Sequence, residues 1–140
     1  RGSHIVFSDG MEDELDLVLL ATGYEITFPF LDNLDVLDWQ ADKRAPKLFL
    51  NVFPAQDNGL FVAGLLEGAG VGWPGRALQT DLIAAYLKAR NDKPELAARF
   101  RREVAAWHAE PPESRRGEHG IFVDFLQYKR DLQKAIARLR

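Results

Sequence analysis

The stretch DLVLLATGY, residues 16–24, carries the strongest indication of the fold. An acidic residue opens it, an apolar run follows, and a glycine comes near its end. A run this apolar is typical of a parallel strand that is buried on both faces. Gly23 then lets the backbone turn sharply or approach a ligand without a Cβ in the way. The stretch therefore predicts a buried strand over residues 15–21, within a sheet of the α/β type.

Three further apolar segments are candidate strands in the first half of the chain: residues 5–7, 47–53 and 59–66. A turn at Pro54–Gly59 joins the last two, since Pro, Asp, Asn and Gly favour turns. Residues 25–46 hold two prolines, several Asp and an Asn and no sustained period, which indicates an irregular connection. We expect residues 60–64 to lie beside residues 15–21 in one sheet, because both runs are too apolar to be left exposed.

Helical periodicity dominates the second half. Pro74 and Gly75 open a first helix, and Asp92-Lys93-Pro94-Glu95 has the form of a capping box that opens a second. A third begins near Asp124, whose side chain suits an N-cap. The apolar stripes of the three helices are Leu78, Leu82, Ala85 or Tyr86 and Ala89; Leu96, Phe100, Val104 and Trp107; and Phe125, Tyr128, Leu132, Ile136 and Leu139.

Composition limits the function classes. The chain has 140 residues, is 46% hydrophobic, carries a net charge of −3 and contains no cysteine. This charge gives no electrostatic case for binding nucleic acid or an anionic membrane. The lack of cysteine removes disulfides and thiol chemistry and is typical of a reducing cytoplasm. No run approaches the roughly 20 apolar residues of a membrane span, and no signal peptide is visible.

Three segments together resemble the flavin-containing monooxygenase family. They are ATGY at 21–24 followed by FPFL at 28–31, GLFVAGLL at 59–66, and VDFLQYKRDL at 123–132. Members of this family use NADPH to reduce bound FAD, and with O2 they oxygenate a soft nitrogen or sulfur or, in one branch, a ketone. The resemblance implies that FAD and NADPH serve the parent enzyme.

The resemblance also implies how the chain is organised. Residues 1–24 would end an NADPH-domain segment with the ATGY crossover strand, residues 25–92 would return to the FAD domain, and residues 93–140 would be a C-terminal helical extension. The expected fold class is α/β, here α+β because only part is present: an incomplete FAD/NAD(P)-binding Rossmann-like sheet followed by helices.

Candidate cofactor-binding residues follow from the same resemblance. They are Thr22, Gly23, Tyr24, Gly64, Leu65 and Gln79. Gln79 is the strongest candidate for a flavin contact, since the helix that carries it approaches the flavin ring in relatives; the alternative is an exposed helical amide. The sequence offers no catalytic residue. It also offers no metal site, because His4, His108 and His119 are scattered without carboxylate or Cys at ligand spacing.

The chain departs from the family pattern by lacking both glycine fingerprints, one for FAD and one for NADPH. Gly70–Gly75 spells G-x-G-x-x-G, but Trp73-Pro74 crowds a turn that needs close phosphate approach. We therefore expect this chain to be the C-terminal part of a monooxygenase. By itself it would be inactive and would retain no cofactor. Its partners would be the missing N-terminal FAD/NADPH domains or a second copy in a homo-dimer. A stand-alone interaction domain is the alternative, and a small nucleotide-binding module using Gly70–Gly75 is a third reading.

Overall fold

The computed structural model describes residues 4–42, 44–68, 72–110, 121 and 123–140. Within these residues the fold consists of two small antiparallel sheets and three α-helices. This mixed α+β architecture confirms the expected fold class and is consistent with part of a Rossmann-like unit.

Both sheets are two-stranded hairpins near the N-terminus. Strand β1 (His4–Val6) pairs with β2 (Glu12–Glu14), with Ile5 opposite Asp13. Strand β3 (Trp39–Gln40) pairs with β4 (Ala45–Pro46). A 3₁₀ helix at Leu34–Leu37 precedes β3. The strand predicted at residues 5–7 is therefore present one residue earlier, and it pairs with the acidic segment Glu12–Glu14, which the sequence did not indicate as a strand.

The three helices match the predicted positions. They are α1 (Gly72–Asp92), α2 (Pro94–Ala109) and α3 (Phe125–Arg138), and α1 packs against both of the others. Asp124 caps α3 as predicted, because its carboxylate accepts the Gln127 N–H at 2.8 Å. The capping box at Asp92–Glu95 is wrong: Asp92 is the last residue of α1, and Lys93 is the N-cap of α2 without a side-chain cap bond.

The core lies between the helices and the segment at residues 49–53. Phe53 is its centre, with its ring 5.0 Å from that of Phe100 and 5.4 Å from that of Tyr86, both edge to face. Phe49 contacts Trp107 at 5.8 Å in the same manner. Edge-to-face aromatic pairs add to the stabilisation from apolar burial, so this cluster ties the segment to α1 and α2.

The buried strand predicted over residues 15–21 is wrong. No strand forms there in the described chain, and residues 16–24 are all exposed. Leu17, Leu19 and Leu20 are 80%, 84% and 82% exposed. The described residues supply neither a pairing strand nor a covering layer, and an apolar run becomes a buried strand only where both exist.

The strands predicted at 47–53 and 59–66 are also not formed. In the first, the chain reverses in a tight turn, so that Phe49 bridges to Phe53. In the second, the backbone makes isolated hydrogen bonds: the Val62 N–H donates to Val52 O at 3.0 Å, and Glu67 pairs with Ile121 and Val123. Both segments are packed as loops, because the turn at residues 50–51 leaves no straight edge along which residues 60–64 could extend.

Part of the sequence-based interpretation lies outside the described residues: positions 1–3, Gly70 and Val71 of the G-x-G-x-x-G spelling, and 111–120. Residues 72–75 of that spelling form the first turn of α1. The division into residues 1–24, 25–92 and 93–140 stays a prediction.

Candidate functional site

A chain of buried hydrogen bonds joins α1, α3 and two loops. Gln79 on α1 is 0% exposed, and Tyr128 on α3 is 1% exposed. The Gln79 Nε2 donates to the Tyr128 hydroxyl at 2.7 Å, and that hydroxyl donates to Leu50 O at 2.6 Å. At its other end the Gln79 Oε1 accepts the Gly64 N–H at 2.7 Å. The two helices thus fix two loops through side chains in the core.

Each hydrogen bond in this network has only one possible direction from donor to acceptor. The Gly64 N–H can only donate and the Leu50 carbonyl can only accept. The Gln79 amide must therefore present oxygen to Gly64 and nitrogen to Tyr128, and the Tyr128 hydroxyl must point at Leu50. A network with one consistent arrangement of protons is rigid, because any other arrangement leaves a buried polar group without a partner.

The first loop held by this network is strained. Leu50 and Asn51 have φ values of 51° and 53°, and the Val52 N–H donates to Phe49 O at 3.1 Å. These features correspond to a type I′ turn, in which both central residues have positive φ. Such a conformation is unfavourable for Leu, which has a branched side chain. The network offsets this cost, since Tyr128 binds Leu50 O and the Gln79 Nε2 lies 3.4 Å from Asn51 O.

The second loop is the turn at Gly64-Leu65. Gly64 has a φ of 90°, which L-residues with a Cβ rarely adopt. A Cβ placed there would meet the Arg76 side chain only at 3.6 Å, an ordinary contact, so conformation and not space requires glycine. The Asn51 side-chain amide lies 3.4 Å from Leu65 O. The two loops are therefore linked to each other as well as to Gln79.

The structure brings together three of the six candidate residues. Gln79, Gly64 and Leu65 meet at the start of α1, with Leu65 half-buried. Thr22, Gly23 and Tyr24 lie instead in the exposed segment, and Tyr24 at 105% exposure packs against none of the described residues. Gln79 is not the exposed amide that we kept as the alternative, because both ends of its side chain are bonded internally.

Sequence reasoning missed two members of the network, Tyr128 and Asn51. Tyr128 was predicted only as part of the apolar stripe of α3. A signal was available: a tyrosine on a buried helix face needs a partner for its hydroxyl. Gln79 carried the same signal, since the buried face of α1 consists of Gly75, Gln79, Leu82, Tyr86 and Ala89 at alternating spacings of four and three.

A second polar cluster surrounds His108 at the end of α2. Its Nε2 lies 3.1 Å from Phe53 O and its Nδ1 lies 4.0 Å from the Asp38 carboxylate. The Asp38 Oδ2 accepts the Ala55 N–H at 2.6 Å, and the Lys47 Nζ donates to His108 O at 2.6 Å. Burial lowers the pKa of His108, against the opposing effects of Phe53 O and Asp38. His108 is therefore a neutral donor that ties α2 to the 38–55 region.

A third set of contacts joins the loop at residues 54–57 to Tyr86 on α1 and Arg101 on α2. The Tyr86 hydroxyl donates to Asp57 at 2.7 Å, and burial together with this carboxylate raises the pKa of Tyr86 to about 12. The Arg101 guanidinium donates to Ala55 O at 2.6 Å and to Pro54 O at 3.3 Å. These side chains hold the loop at 54–57 against α1 and α2.

A comparison with protein families decides the relationship of this chain. The sequence profile described as "Flavin-binding monooxygenase-like" matches residues 1–138. The chain belongs to the flavin-binding monooxygenase-like family.

Several curated proteins of this family resemble the chain over part of its length. Flavin-containing monooxygenase 1 of Sus scrofa is 36% identical over 99 residues, which are 67% of this chain and 18% of that protein. Flavin-containing monooxygenase FMO GS-OX3 of Arabidopsis thaliana is 32% identical over 106 residues, or 75% of this chain and 22% of that protein. Trimethylamine monooxygenase of Pelagibacter sp. is 36% identical over 66 residues, or 47% and 15%.

The matched regions thus span less than a quarter of these relatives. No solved structure matches the chain. Among the described residues of this chain, no helix is both long enough and apolar enough to cross a membrane. The same residues contain no group of three His, Cys, Asp or Glu side chains that could hold a metal ion.

The described site fits a flavin only in part. The chain presents a turn at Gly64-Leu65, fixed by hydrogen bonds, beside the first turns of α1, where a half-buried Leu65 and the turn backbone could meet a ring. Both the oxygen and the nitrogen of the Gln79 amide are already hydrogen-bonded within the protein. A flavin would therefore be held through the turn that Gln79 positions, and not through a free Gln79 side chain.

Proposed function

We propose that this chain forms the C-terminal part of a flavin-dependent monooxygenase. The parent enzyme uses FAD, NADPH and O2 to oxygenate a soft nitrogen or sulfur nucleophile or a ketone. The observation that carries the proposal is the family match over residues 1–138. The names of two relatives, a trimethylamine monooxygenase and an N-oxide-forming dimethylaniline monooxygenase, favour a soft nitrogen as the substrate atom.

In this proposal the chain supplies the surface against which the flavin ring lies. The Gly64-Leu65 turn and the start of α1 face the ring, and Gln79 fixes the turn from behind. Thr22, Gly23 and Tyr24 serve the cofactor region where the chain passes from the NADPH domain to the FAD domain. FAD itself carries the redox chemistry, while the protein places it and keeps water away.

The isolated chain is inactive and retains neither FAD nor NADPH. No glycine-rich phosphate-binding loop of a strand–helix–strand unit occurs in its sequence, and such a loop is what grips a dinucleotide pyrophosphate. The exposed apolar segment at residues 16–24 supports an interface with the missing FAD/NADPH domains of a cytoplasmic enzyme. A stand-alone interaction domain is not favoured by a family match that spans nearly the whole chain.

The test compares the 140-residue chain with the polypeptide encoded when the in-frame upstream region is included. We expect the upstream region to contain a dinucleotide fingerprint, and the long polypeptide to be yellow after gel filtration. It should oxidise NADPH faster when trimethylamine or dimethyl sulfide is added, with cyclohexanone as the probe of the ketone branch. The short chain should be colourless under the same conditions.

Two results would contradict the proposal. An upstream region without any dinucleotide fingerprint would show an independent protein. Stoichiometric flavin on the purified short chain would show that this part binds the cofactor by itself.

A further inference from the structure

We propose that Tyr128, in the C-terminal helix, is a positioning residue for the flavin-facing turn at Gly64-Leu65. It acts through Gln79 and makes no contact with the cofactor. The inference rests on the proposed function only for the identity of what the turn faces.

The geometry defines a first path from Tyr128 to the turn, through Gln79. The Tyr128 hydroxyl oxygen accepts a hydrogen bond from the Gln79 Nε2 at 2.7 Å, and the Gln79 Oε1 accepts one from the Gly64 N–H at 2.7 Å. A primary amide is planar, so its nitrogen and oxygen turn together about the Cγ–Cδ bond, and a hydrogen bond to the nitrogen restrains the oxygen as well. Removal of the hydroxyl leaves the Nε2 with Asn51 O at 3.4 Å, a weak contact. The Gln79 side chain can then rotate away from Gly64.

Tyr128 also acts on the turn by a second route. Its hydroxyl binds Leu50 O, next to Asn51, and the Asn51 side chain reaches Leu65 O at 3.4 Å. Leu50 and Asn51 both have positive φ, so this turn depends on its surroundings to keep its shape. Both routes converge on Gly64 and Leu65, and both begin at the same oxygen atom.

The experiment uses Tyr128→Phe with a matched control, Tyr86→Phe. Tyr86 is also about 1% exposed, and its Phe variant likewise removes a buried hydroxyl, here one that donates to Asp57 at 2.7 Å. Its hydroxyl lies outside the path to Gly64. The first measurement is amide hydrogen exchange of the 140-residue chain, followed by ¹H–¹⁵N NMR at Gly64 and referenced to amides in the middle of α1.

We expect Tyr128→Phe to raise exchange at Gly64 about fivefold relative to the α1 amides, the equivalent of one neutral hydrogen bond. Tyr86→Phe should leave this ratio unchanged. Gln79→Met breaks the path while keeping a similar shape, so Tyr128→Phe should add little in that background, as coupled residues do. An unchanged ratio in Tyr128→Phe, or equal changes in both Tyr variants, overturns the inference.

The second measurement is FAD affinity of the complete flavoenzyme. Tyr128→Phe should weaken FAD binding severalfold and raise the fraction of NADPH oxidised without product, while Tyr86→Phe changes neither. Faster Gly64 exchange with unchanged FAD affinity and coupling overturns the role of Tyr128 at the flavin and leaves the proposed function intact. A wild-type complete protein that binds no FAD overturns the proposed function, and with it the flavin part of this inference.

Discussion

At the scale of single residues, Gln79 illustrates how a polar side chain can determine local geometry from inside a core. A buried amide without partners would cost several kcal/mol. In the described residues, however, every buried side-chain nitrogen and oxygen has a partner. Because the Gln79 partners belong to different elements, satisfying the amide requires α1, α3 and both loops to be in place together.

Gln79→Ala is expected to lower the free energy of unfolding by about 2–3 kcal/mol, because the Gly64 N–H loses its partner and a cavity forms. Urea unfolding of the chain measures this. Thr80→Ala is the matched control, since Thr80 is the next residue of α1, is exposed, and bonds only locally to Ala77 O in the described contacts. In the parent enzyme that we propose, Gln79→Ala should also weaken flavin binding or raise unproductive NADPH oxidation. Equal destabilisation by both variants would contradict the buried role.

His108 is expected to make stability depend on pH. Burial lowers its pKa in the folded state, while the unfolded state keeps the ordinary value of about 6.5. Below about 6.5 the unfolded chain binds the proton more readily, so stability is complete above this pH and falls as the pH drops toward the folded-state pKa. Urea midpoints between pH 7.5 and 5 measure the effect.

The control for this pH dependence is His108→Gln, which keeps a donor for Phe53 O but does not titrate. The decline of stability below about pH 6.5 should become smaller in this variant. Asp38, Lys47 and Arg101 also influence His108, so a decline of unchanged size would assign the pH dependence to other groups.

At the scale of elements, the helices followed from the sequence, whereas of the predicted strands only the one at residues 5–7 formed, shifted by one residue. Helical stripes repeat over many residues, as in the Phe100–Val104 and Leu132–Ile136 pairs that are buried as predicted. Strands were inferred from short apolar runs, which indicate burial but not pairing. The predicted burial of residues 49–53 is correct, but the chain turns at Leu50 and Asn51, and no glycine at these positions indicates a turn in the sequence.

At the candidate site, too, the sequence predicted some features and not others. The sequence pointed to Gly64, Leu65 and Gln79, which do meet. It did not reveal that Tyr128 joins them, because that contact spans 49 positions and depends on how α1 packs against α3. Periodicity places Tyr128 and Gln79 on buried faces, but only the packed helices determine which buried polar groups become partners.

Asp124→Ala tests the N-cap of α3. The Asp124 carboxylate accepts the Gln127 N–H at 2.8 Å, and loss of such a cap costs about 1 kcal/mol. Gln133→Ala on the exposed face of α3 is the control and should be close to neutral. Thermal unfolding monitored by circular dichroism measures both. A destabilisation no larger than that of Gln133→Ala would mean that the cap contributes nothing to α3.

At the scale of the whole molecule, apolar surface is distributed unevenly. The core draws on residues 49–139, where Phe53, Leu82, Val104 and Leu132 are fully buried. Residues 16–24 form no helix or strand and are exposed, including the consecutive apolar residues from Leu17 to Leu20. Monomeric proteins rarely expose contiguous apolar patches above a few hundred Å², so this segment favours covering by other protein.

We expect the isolated chain to self-associate through residues 16–24, most simply as a dimer. Within the described residues this segment makes no backbone hydrogen bond to another segment, so it offers backbone groups as well as apolar side chains, a combination that favours strand pairing between copies. Light scattering over a concentration series should give a mass that rises above 15.8 kDa. Leu17→Ser/Leu19→Ser/Leu20→Ser should shift the chain toward the monomer, because each of these side chains is at least 80% exposed and contributes little to the core. Leu126→Ser, an exposed position on α3, is the control and should leave association unchanged. A monomer of 15.8 kDa at every concentration would show that the segment does not mediate contact between copies.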